Sequence, residues 1–500
     1  MKYRILTSLF TLLTFSTFAQ SEPNLDEKID GFFKVYLSDP LNSVIFYQLA
    51  FSLDGEEYKI PYILIWLVLG ALSCTLYFKF INLRHFKTAI DVVRGKYDDP
   101  NEKGEVSHFQ ALTAALSGTV GLGNIGGVAV AVSVGGPGAT FWMILAGFLG
   151  MSSKFAECTL GVKFREIGKD NIVYGGPMYY IRDGLKNILS TTGAKVLASL
   201  FAIACVFASF GGGNMYQANQ AYSQMLLMPG LGNMSGWMFG VIIALLVGIV
   251  IIGGIKSIAK VTDKLVPAMV VVYVLASLII LGYHFTEIPD AFGLIITSAF
   301  TTGAIKGGVL GALIQGFQRS AFSNEAGMGS APIAHSAVKT NYPASEGLVS
   351  LLEPFIDTIV ICTMTALVLV ITGEYTHYIE GGTAAGVKLT SASFKSVLPW
   401  FPYILSIAVL LFAVSTMVSW SYYGSQAWAF LFGKKRSTDL IYKFIFCLFI
   451  IVGSSSSLGA VIDFSDAALF AMCLPNIIAL YLLLPEVKKE LNRYLKHIKS

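Results

Sequence analysis

The chain of 500 residues has few charged side chains, which make up only 13% of the sequence, whereas soluble proteins carry about 25%. Hydrophobic residues make up 54%. This composition excludes a single soluble domain and places most of the chain in a membrane. The formal net charge of +4 is too small to indicate binding to nucleic acid.

The chain also lacks the spacings that mark metal sites, disulfide frameworks and hydrolytic enzymes. Its six cysteines lie inside apolar runs without a C-x-x-C pair, and its six histidines form no H-E-x-x-H motif. No Ser/His pattern indicates a nucleophile. We therefore expect neither a disulfide-bonded protein nor an enzyme.

The N-terminal region combines a signal-like segment with a polar one. Lys2 and Arg4 precede a short apolar core, and small residues at 17–19 form a cleavage site, so residues 1–20 are predicted to be a signal peptide. The alternative is an uncleaved anchor or a half-inserted helix. Residues 21–61 are predicted to be an exported segment that lies against the outer face.

Long apolar runs fill the rest of the chain. A spanning helix needs about 20 apolar residues, so the runs predict an all-α integral membrane protein with about eleven transmembrane helices. The transmembrane domain is predicted over residues 62–485, and a cytoplasmic tail over 486–500. The predicted spans are 62–83, 106–134, 137–163, 194–227, 236–254, 264–284, 307–336, 347–372, 401–432, 440–458 and 464–485.

Basic residues are concentrated in alternate loops, which are therefore predicted to be cytoplasmic. This places the mature N-terminus outside and the C-terminus in the cytoplasm, and we expect the inner membrane of a bacterium. The predicted cytoplasmic basic residues are Arg84, Lys87, Arg94, Lys96, Lys163, Arg165, Lys169, Arg182, Lys186, Lys256, Lys260, Lys434, Lys435 and Arg436.

One predicted span, A-A-L-S-G-T-V-G-L-G-N-I-G-G-V-A-V-A-V-S-V at residues 114–134, is too rich in glycine to stay helical. Each glycine disfavours helix by about 1 kcal/mol relative to alanine. A break at membrane depth is tolerated where the backbone lines a cavity, as in secondary transporters. Close helix packing is the alternative. The embedded G-x-G-x-x-G lacks the strand and the acidic residue of a dinucleotide site.

The break predicts two binding functions. The N–H groups of Leu122 and Gly123, at the start of the second half-helix, are predicted to bind a substrate carboxylate, because the helix dipole favours an anion there. The carbonyl groups from Ser117 to Val120 end the first half-helix. They are predicted to face a monovalent cation such as Na⁺.

A second break is predicted at Q-R-S-A-F-S-N-E-A-G-M-G-S-A-P, residues 318–332. Arg319 and Glu325 lie in this span and must face the protein interior or water. Either they form an ion pair that fixes the break, or Glu325 takes part in ion coupling or gating. Phe322 is placed to close over a small substrate. Two breaks five helices apart in opposite orientation predict a five-plus-five inverted repeat after one extra N-terminal helix.

Polar residues in other spans complete the candidate site. Gln217 is expected to accept a hydrogen bond from a substrate ammonium, and Trp420 to wall the pocket. The hydroxyl groups of Ser415 and Thr416 suit a hard cation, although they also bond readily to their own helix backbone. The further intramembrane acids, for which pairing and function are equally open, are Glu157, Glu353 and Asp357.

These motifs resemble the alanine/glycine:cation symporter family, which is similar to the wider leucine-transporter fold. The hallmarks are L-S-G-T-V-G-L-G-N-I-G-G-V-A, G-G-P-G-A-T-F-W-M-I-L-A-G-F-L-G, Q-R-S-A-F-S-N-E-A-G-M-G-S-A-P-I-A, G-N-M-Y-Q-A-N and F-A-V-S-T-M-V-S-W-S-Y-Y-G. The resemblance implies Na⁺-coupled uptake of alanine or glycine. The alternatives are a proton-coupled amino-acid transporter and a solute sensor on a transporter fold.

The resemblance also implies which residues form the site. We expect a monomer whose partners are alanine or glycine and membrane lipid. Ser419 is an alternative to the hydroxyl pair at the ion site. The candidate substrate residues are Leu122, Gly123, Asn124, Gln217, Phe322, Ser323 and Trp420, and the candidate Na⁺ ligands are Ser117, Val120, Ser415 and Thr416.

Overall fold

The structure is a computed structural model that describes residues 23–53, 56–99, 102–168, 172–252, 254–301, 308–381 and 385–499. The predicted signal peptide lies outside these residues. Most of the described chain is helical, which confirms the predicted helical membrane architecture in outline.

Six helices of the described chain are long and apolar enough to cross a membrane, or eight if each of two bent pairs forms one span. Two shorter apolar helices, Tyr62–Tyr77 and Gly236–Ile252, accompany them. The count of eleven spans and the inverted repeat stay predictions. The six long helices are Gly138–Lys163, Thr191–Met225, Pro343–Thr372, Phe401–Phe432, Arg436–Ser455 and Leu458–His497.

The two bent pairs are the points where membrane helices change direction. His108–Thr119 and Gly123–Gly135 meet at 51°, at the predicted glycine-rich break. Pro267–Tyr283 and Phe285–Phe300 meet at 81°. The second bend is not among the predictions, because the predicted span that ends at residue 284 is followed by one that starts only at 307.

Four π-helical turns interrupt the helical segments of the described chain, and such turns are frequent at functional sites. These turns are Lys34–Ser38, Gly123–Gly127, Gly211–Met215 and Phe355–Cys362. The remaining helical segments are Leu25–Phe33, Asp39–Ile45, Ile81–Arg84, Phe86–Val93, Val128–Gly135, Pro177–Gly184, Thr191–Phe210, Tyr216–Met225, Gly254–Tyr283, Phe285–Glu287, Ile288–Phe300, Gly308–Asn324, Ala331–His335, Pro343–Ser350, Leu352–Pro354, Thr363–Thr372, Tyr375–Gly381 and Val387–Val397.

Two short hairpins depart from the all-α prediction. Strands β1 (Gln48–Leu53) and β2 (Glu56–Pro61) pair antiparallel with Gln48 opposite Pro61. The intervening sequence is Asp-Gly, which is typical of two-residue hairpin turns. Strands β3 (Glu166–Ile167) and β4 (Val173–Tyr174) form the second hairpin. Both hairpins flank membrane helices. A search for long apolar runs does not detect such short strands.

The 40-residue helix Leu458–His497 links two chemically different ends of the molecule. Near its end, Lys163 contacts Glu486 and Glu490 at 2.6 and 2.9 Å. At its start, Ser457 binds Asp30 of the N-terminal segment at 2.8 Å. At about 1.5 Å per residue the helix is about 60 Å long, so these contacts mark opposite ends.

Basic residues from different predicted cytoplasmic loops meet around one carboxylate, Glu166. Arg182 and Lys434 contact it at 2.6 and 3.1 Å. Partial burial raises the pKa of Glu166, but the hydrogen bonds from these two cations outweigh burial and bring that pKa below its usual value. The loops that carry Arg182 and Lys434 therefore share one end of the molecule.

Candidate functional site

At the first break, side-chain amide oxygens accept hydrogen bonds from backbone N–H groups. The helix His108–Thr119 ends at Val120, whose ψ of 93° is extended. The side-chain oxygen of Asn124 then accepts a hydrogen bond from the Gly121 N–H at 2.8 Å. The Gln217 oxygen accepts one from the Leu122 N–H at 3.3 Å. Side-chain amides thus satisfy two of the N–H groups that the end of the helix leaves free.

These contacts change two expectations for this conformation. The Leu122 N–H, predicted to bind a carboxylate, is occupied by Gln217. The Gln217 oxygen, expected to accept from an ammonium group, accepts from that N–H instead, while its nitrogen donates to the Gly212 carbonyl at 2.9 Å. A carboxylate reaches Leu122 only if Gln217 moves away.

The Asn124 nitrogen connects the first break to two other membrane helices. It donates to the Asp357 carboxylate at 2.6 Å and lies 3.1 Å from the Ser323 hydroxyl. Asp357 also accepts from Ser323 at 2.8 Å and from Thr358 at 2.7 Å. Asn124, Asp357, Ser323 and Thr358 are all buried. Asp357 thus belongs to the site. The sequence shows it only as an acid inside a predicted span, without indicating its partners.

The second break has a different construction. Helix Gly308–Asn324 ends at Glu325, whose φ of +57° is uncommon for a residue with a side chain. One carboxylate oxygen of Glu325 accepts from the Trp420 indole N–H at 3.1 Å. The other accepts from the Ser330 hydroxyl. Gly329, with φ of +84°, then leads into the short helix Ala331–His335.

The proposed ion pair between Arg319 and Glu325 is wrong. The Arg319 guanidinium pairs instead with Asp466 of the helix Leu458–His497, and Gln318 donates to the same carboxylate at 2.7 Å. Glu325 lies beyond the end of the helix that carries Arg319, so the two side chains do not share one helix face. Arg319 also lies 5.2 Å from the centre of the Phe322 ring.

Between the breaks lies a narrow cavity with room for about one water molecule. Four predicted substrate residues, Gly123, Gln217, Phe322 and Trp420, line it. The predicted residues Leu122, Asn124 and Ser323 are buried behind this lining. The full lining is Gly118, Thr119, Gly123, Gly212, Gln217, Phe322, Glu325, Trp420 and Leu469, and all nine are buried.

Gly213 explains why the triple-glycine motif sits beside this cavity. A Cβ atom added at Gly213 would lie 2.2 Å from Cγ of Trp420. No such contact is sterically allowed, so the indole packs directly on the backbone of the π-helical turn Gly211–Met215. The sequence predicts a role for the polar residue Gln217 that follows these glycines, but no role for the glycines themselves.

The predicted ion ligands also meet in the structure. The Ser117 carbonyl accepts from the Thr416 hydroxyl at 3.2 Å, and the Ser117 hydroxyl donates to the Ser415 carbonyl at 3.3 Å. Ser419 donates to the Ser117 hydroxyl at 2.8 Å. The Ser415 hydroxyl bonds to the Phe412 carbonyl of its own helix at 3.0 Å. Oxygen atoms from both helices thus cluster beside the cavity residues Gly118 and Thr119, and the Val120 N–H bonds to the Leu116 carbonyl in the last turn of this half-helix.

The sequence is similar to a known family of transport proteins. The sequence profile described as the sodium:alanine symporter family matches residues 48–500. The sodium/alanine symporter AgcS of Methanococcus maripaludis is 40% identical over 436 residues, covering 87% of this chain and 94% of that protein. The putative sodium/proton-dependent alanine carrier protein YrbD of Bacillus subtilis is 35% identical, covering 86% and 89%.

Another relative carries a different substrate in its name. The probable sodium/glutamine symporter GlnT of Bacillus subtilis is 32% identical, covering 87% of this chain and 88% of that protein. Among solved structures, MhsT in complex with L-phenylalanine matches with a TM-score of 0.54 and 17% identity, covering 77% of this chain and 90% of that chain. This likeness shows a shared fold, the leucine-transporter fold that the sequence motifs implied.

Proposed function

Because the chain belongs to the sodium:alanine symporter family, we propose that it couples uptake of alanine or glycine to inward movement of Na⁺ by alternating access. The chain is a multi-pass membrane protein and a cation-coupled amino-acid transporter rather than an enzyme. The choice of alanine or glycine, and of Na⁺, is the proposal. We further propose that the protein acts as a monomer with its C-terminus in the cytoplasm.

The observation that carries the proposal is the buried cavity at the first break. The cavity has room for about one water molecule, so even alanine requires Gln217 to leave the Leu122 N–H, and a larger side chain would require more of the lining to move. In the substrate-bound state the carboxylate replaces Gln217 at the Leu122 N–H and is favoured by the dipole of the helix that follows. Phe322 and Trp420 then enclose the substrate side chain.

Na⁺ binding at the oxygen cluster of Ser117, Ser415 and Thr416 is the second part of the proposal. Ser117 lies on the same half-helix as the cavity residues Gly118 and Thr119. An ion that fixes this helix end therefore also fixes the substrate contacts, which is the physical basis of coupling. One Na⁺ moving through about 100 mV supplies roughly 2.3 kcal/mol, enough for about a 50-fold substrate gradient.

Proton coupling is the second candidate, because one cavity residue is a carboxylic acid. Glu325 is 3% exposed, and both of its oxygens already accept hydrogen bonds from Trp420 and Ser330. A buried carboxylate beside a substrate cavity is suited to carry a proton. The name of one relative also mentions sodium/proton dependence for that protein.

Uptake into proteoliposomes separates these candidates. Purified full-length protein is reconstituted, and radiolabelled alanine uptake is measured with an inward Na⁺ gradient, a matched K⁺ gradient, or a pH gradient alone. We expect Na⁺-dependent accumulation that unlabelled alanine or glycine abolishes and glutamine leaves unchanged. Accumulation with the pH gradient alone would support the proton-coupled candidate. Preference for glutamine would contradict the proposed substrate.

A further inference from the structure

Residues 24–47 precede the part of the chain that matches the family profile, which begins at residue 48. They form the helix Leu25–Phe33, the π-helical turn Lys34–Ser38 and the helix Asp39–Ile45. We call these residues the N-terminal strap. The family assignment therefore explains none of its contacts, and the inference below does not depend on the proposed transport function.

Two aspartates attach the strap to the beginnings of two membrane helices. The Asp26 carboxylate accepts from the N–H groups of Gly236 and Trp237 at 3.0 and 3.1 Å, at the start of the helix Gly236–Ile252. Asp30 accepts from the Ser457 N–H at 2.8 Å, directly before the helix Leu458–His497. Carboxylates are favoured at helix N-termini.

Apolar packing reinforces this attachment and fixes where the strap lies along the helix Leu458–His497. The Phe33 ring packs edge-on against Phe464 at 5.1 Å, and Ser38 donates to the Ala460 carbonyl at 2.8 Å. Both partners lie in the first two turns of the helix Leu458–His497. Apolar residues follow from the first turn of this helix, so the strap lies beside the start of its predicted membrane-spanning part.

The strap helix has three chemically distinct sides. One side carries the buried Phe33 and faces the protein. A second carries Leu25, Phe32 and Tyr36, which are 53%, 63% and 67% exposed. Leu25 and Phe32 are seven residues apart, which is about two turns of α-helix, and the rings of Phe32 and Tyr36 lie 4.9 Å apart. Lys34, two residues after Phe32, falls on a different side of the helix and is also exposed. This division suits a helix lying in a membrane surface.

We propose that the apolar side of the strap, formed by Leu25, Phe32 and Tyr36, inserts into the lipid leaflet that surrounds the starts of these membrane helices. The lipid-facing surface reaches the strap itself, because the row of exposed apolar side chains on the helix Gly236–Ile252 begins at Trp237, whose N–H binds Asp26. Tryptophan is also enriched at membrane interfaces.

The charges of the strap indicate how this insertion is driven. The strap carries both signs of charge, with Asp26, Glu27, Asp30 and Asp39 on one side of the balance and Lys28 and Lys34 on the other. Insertion therefore depends on apolar contact rather than on attraction to anionic lipid.

Spin labelling of the full-length protein in liposomes tests the proposal. A nitroxide is attached to a cysteine in Phe32→Cys, in Tyr36→Cys and in the matched control Lys34→Cys. Five of the six native cysteines are buried, and unsubstituted protein treated in parallel gives the background. The collision rates with oxygen, which dissolves in lipid, and with a water-soluble nickel chelate are then measured.

We expect oxygen to relax the labels at 32 and 36 more strongly than the nickel chelate does, with the opposite order at 34. The pattern is expected to be the same in phosphatidylcholine vesicles and in vesicles with added phosphatidylglycerol. Equal nickel access at 32, 36 and 34 would overturn the proposal. So would spin–spin broadening, which indicates a second copy, or exclusion of both reagents, which indicates cover by another part of the chain.

Discussion

The two helix breaks both interrupt a helix, but side chains of different chemistry stabilise them. At the first, neutral amide side chains of Asn124 and Gln217 take up the freed N–H groups of Gly121 and Leu122. At the second, the chain turns at an ionisable residue, Glu325, whose carboxylate is held by Trp420 and Ser330. The first break can exchange an amide partner for a ligand without moving a proton. The second contains a group whose charge can change.

The breaks are also joined to each other. Asn124 of the first contacts Ser323 of the second, and both donate to the Asp357 carboxylate. Trp420 contacts Glu325 and borders the same cavity as Gly123. A ligand that displaces these side chains at the first break would therefore change contacts that hold the second. We propose that the first break binds the ligand and that the second responds to it.

Replacing Asn124 is expected to have the largest effect. Asn124→Ala removes the acceptor for Gly121 and the donor to Asp357, and an unpaired buried polar group costs about 1–3 kcal/mol, more for a charged one. We expect uptake to fall by at least about 100-fold, the equivalent of roughly 2.8 kcal/mol. Protein abundance in the membrane should stay near wild type.

Asn492→Ala, at an exposed position of the last helix, serves as the control for the loss of an asparagine. Its uptake should match that of the wild type. A wild-type substrate affinity in Asn124→Ala would remove Asn124, and the first break with it, from the binding site.

A methyl group at Gly213 should have the next largest effect. In Gly213→Ala the new Cβ would meet Trp420 at 2.2 Å and push the indole toward the cavity. Overpacking costs about 1–3 kcal/mol, so initial uptake rates should fall by roughly 10- to 100-fold. Gly282→Ala, where no atom lies within 4 Å of the added Cβ, should transport normally. Equal activity of both variants would show that the position of Trp420 is not critical.

The ion site predicts a smaller and more specific effect. Ser415→Ala combined with Thr416→Ala should raise the Na⁺ concentration for half-maximal uptake by about tenfold, because a hydrogen-bonding contact to a charged group contributes about 1.5–3 kcal/mol. Thr416→Ala alone should carry most of this effect, since the Ser415 hydroxyl bonds to its own helix. An unchanged Na⁺ requirement in the double variant would move the ion elsewhere.

Glu325→Gln should change Na⁺-driven uptake least. The amide oxygen of glutamine still accepts from Trp420, so we expect Na⁺-driven rates within about threefold of wild type, a difference of less than about 1 kcal/mol. Glu325→Ala, which leaves the indole N–H without its partner, should be markedly slower. If Glu325→Gln instead abolishes Na⁺-driven transport, the ionisable carboxylate of the second break is required for coupling, which supports the proton-coupled candidate over the proposed one.

The contrast also explains what the sequence could predict. The first break was located correctly because clustered glycines act locally on helix stability, and its bend lies at the predicted position. The pairing of Arg319 was not predictable, because its partner Asp466 is 147 residues away and belongs to another helix. Asp357 escaped assignment for the same reason: its contact with Asn124 spans 233 positions. Such contacts follow from packing rather than from periodicity.

Gln217, Phe322 and Trp420, which the resemblance implies as substrate residues, line one cavity, and their role in binding stays a prediction. The resemblance does not predict the individual hydrogen bonds, because a motif gives residue types and not the conformation of their side chains. Gln217, for example, occupies the Leu122 N–H that was expected to be available. The bend after Tyr283 was also missed, since no glycine cluster marks it.

The most direct test of the central claim is alanine binding to purified protein with and without Na⁺, measured by calorimetry at constant ionic strength and pH. We expect Na⁺ to tighten alanine binding by about tenfold or more, a coupling free energy of roughly 1.4 kcal/mol or more. This gain should disappear in the Ser415→Ala, Thr416→Ala double variant while weak binding remains. Equal alanine affinity with Na⁺ and with K⁺ in the wild type would contradict coupling through the first break.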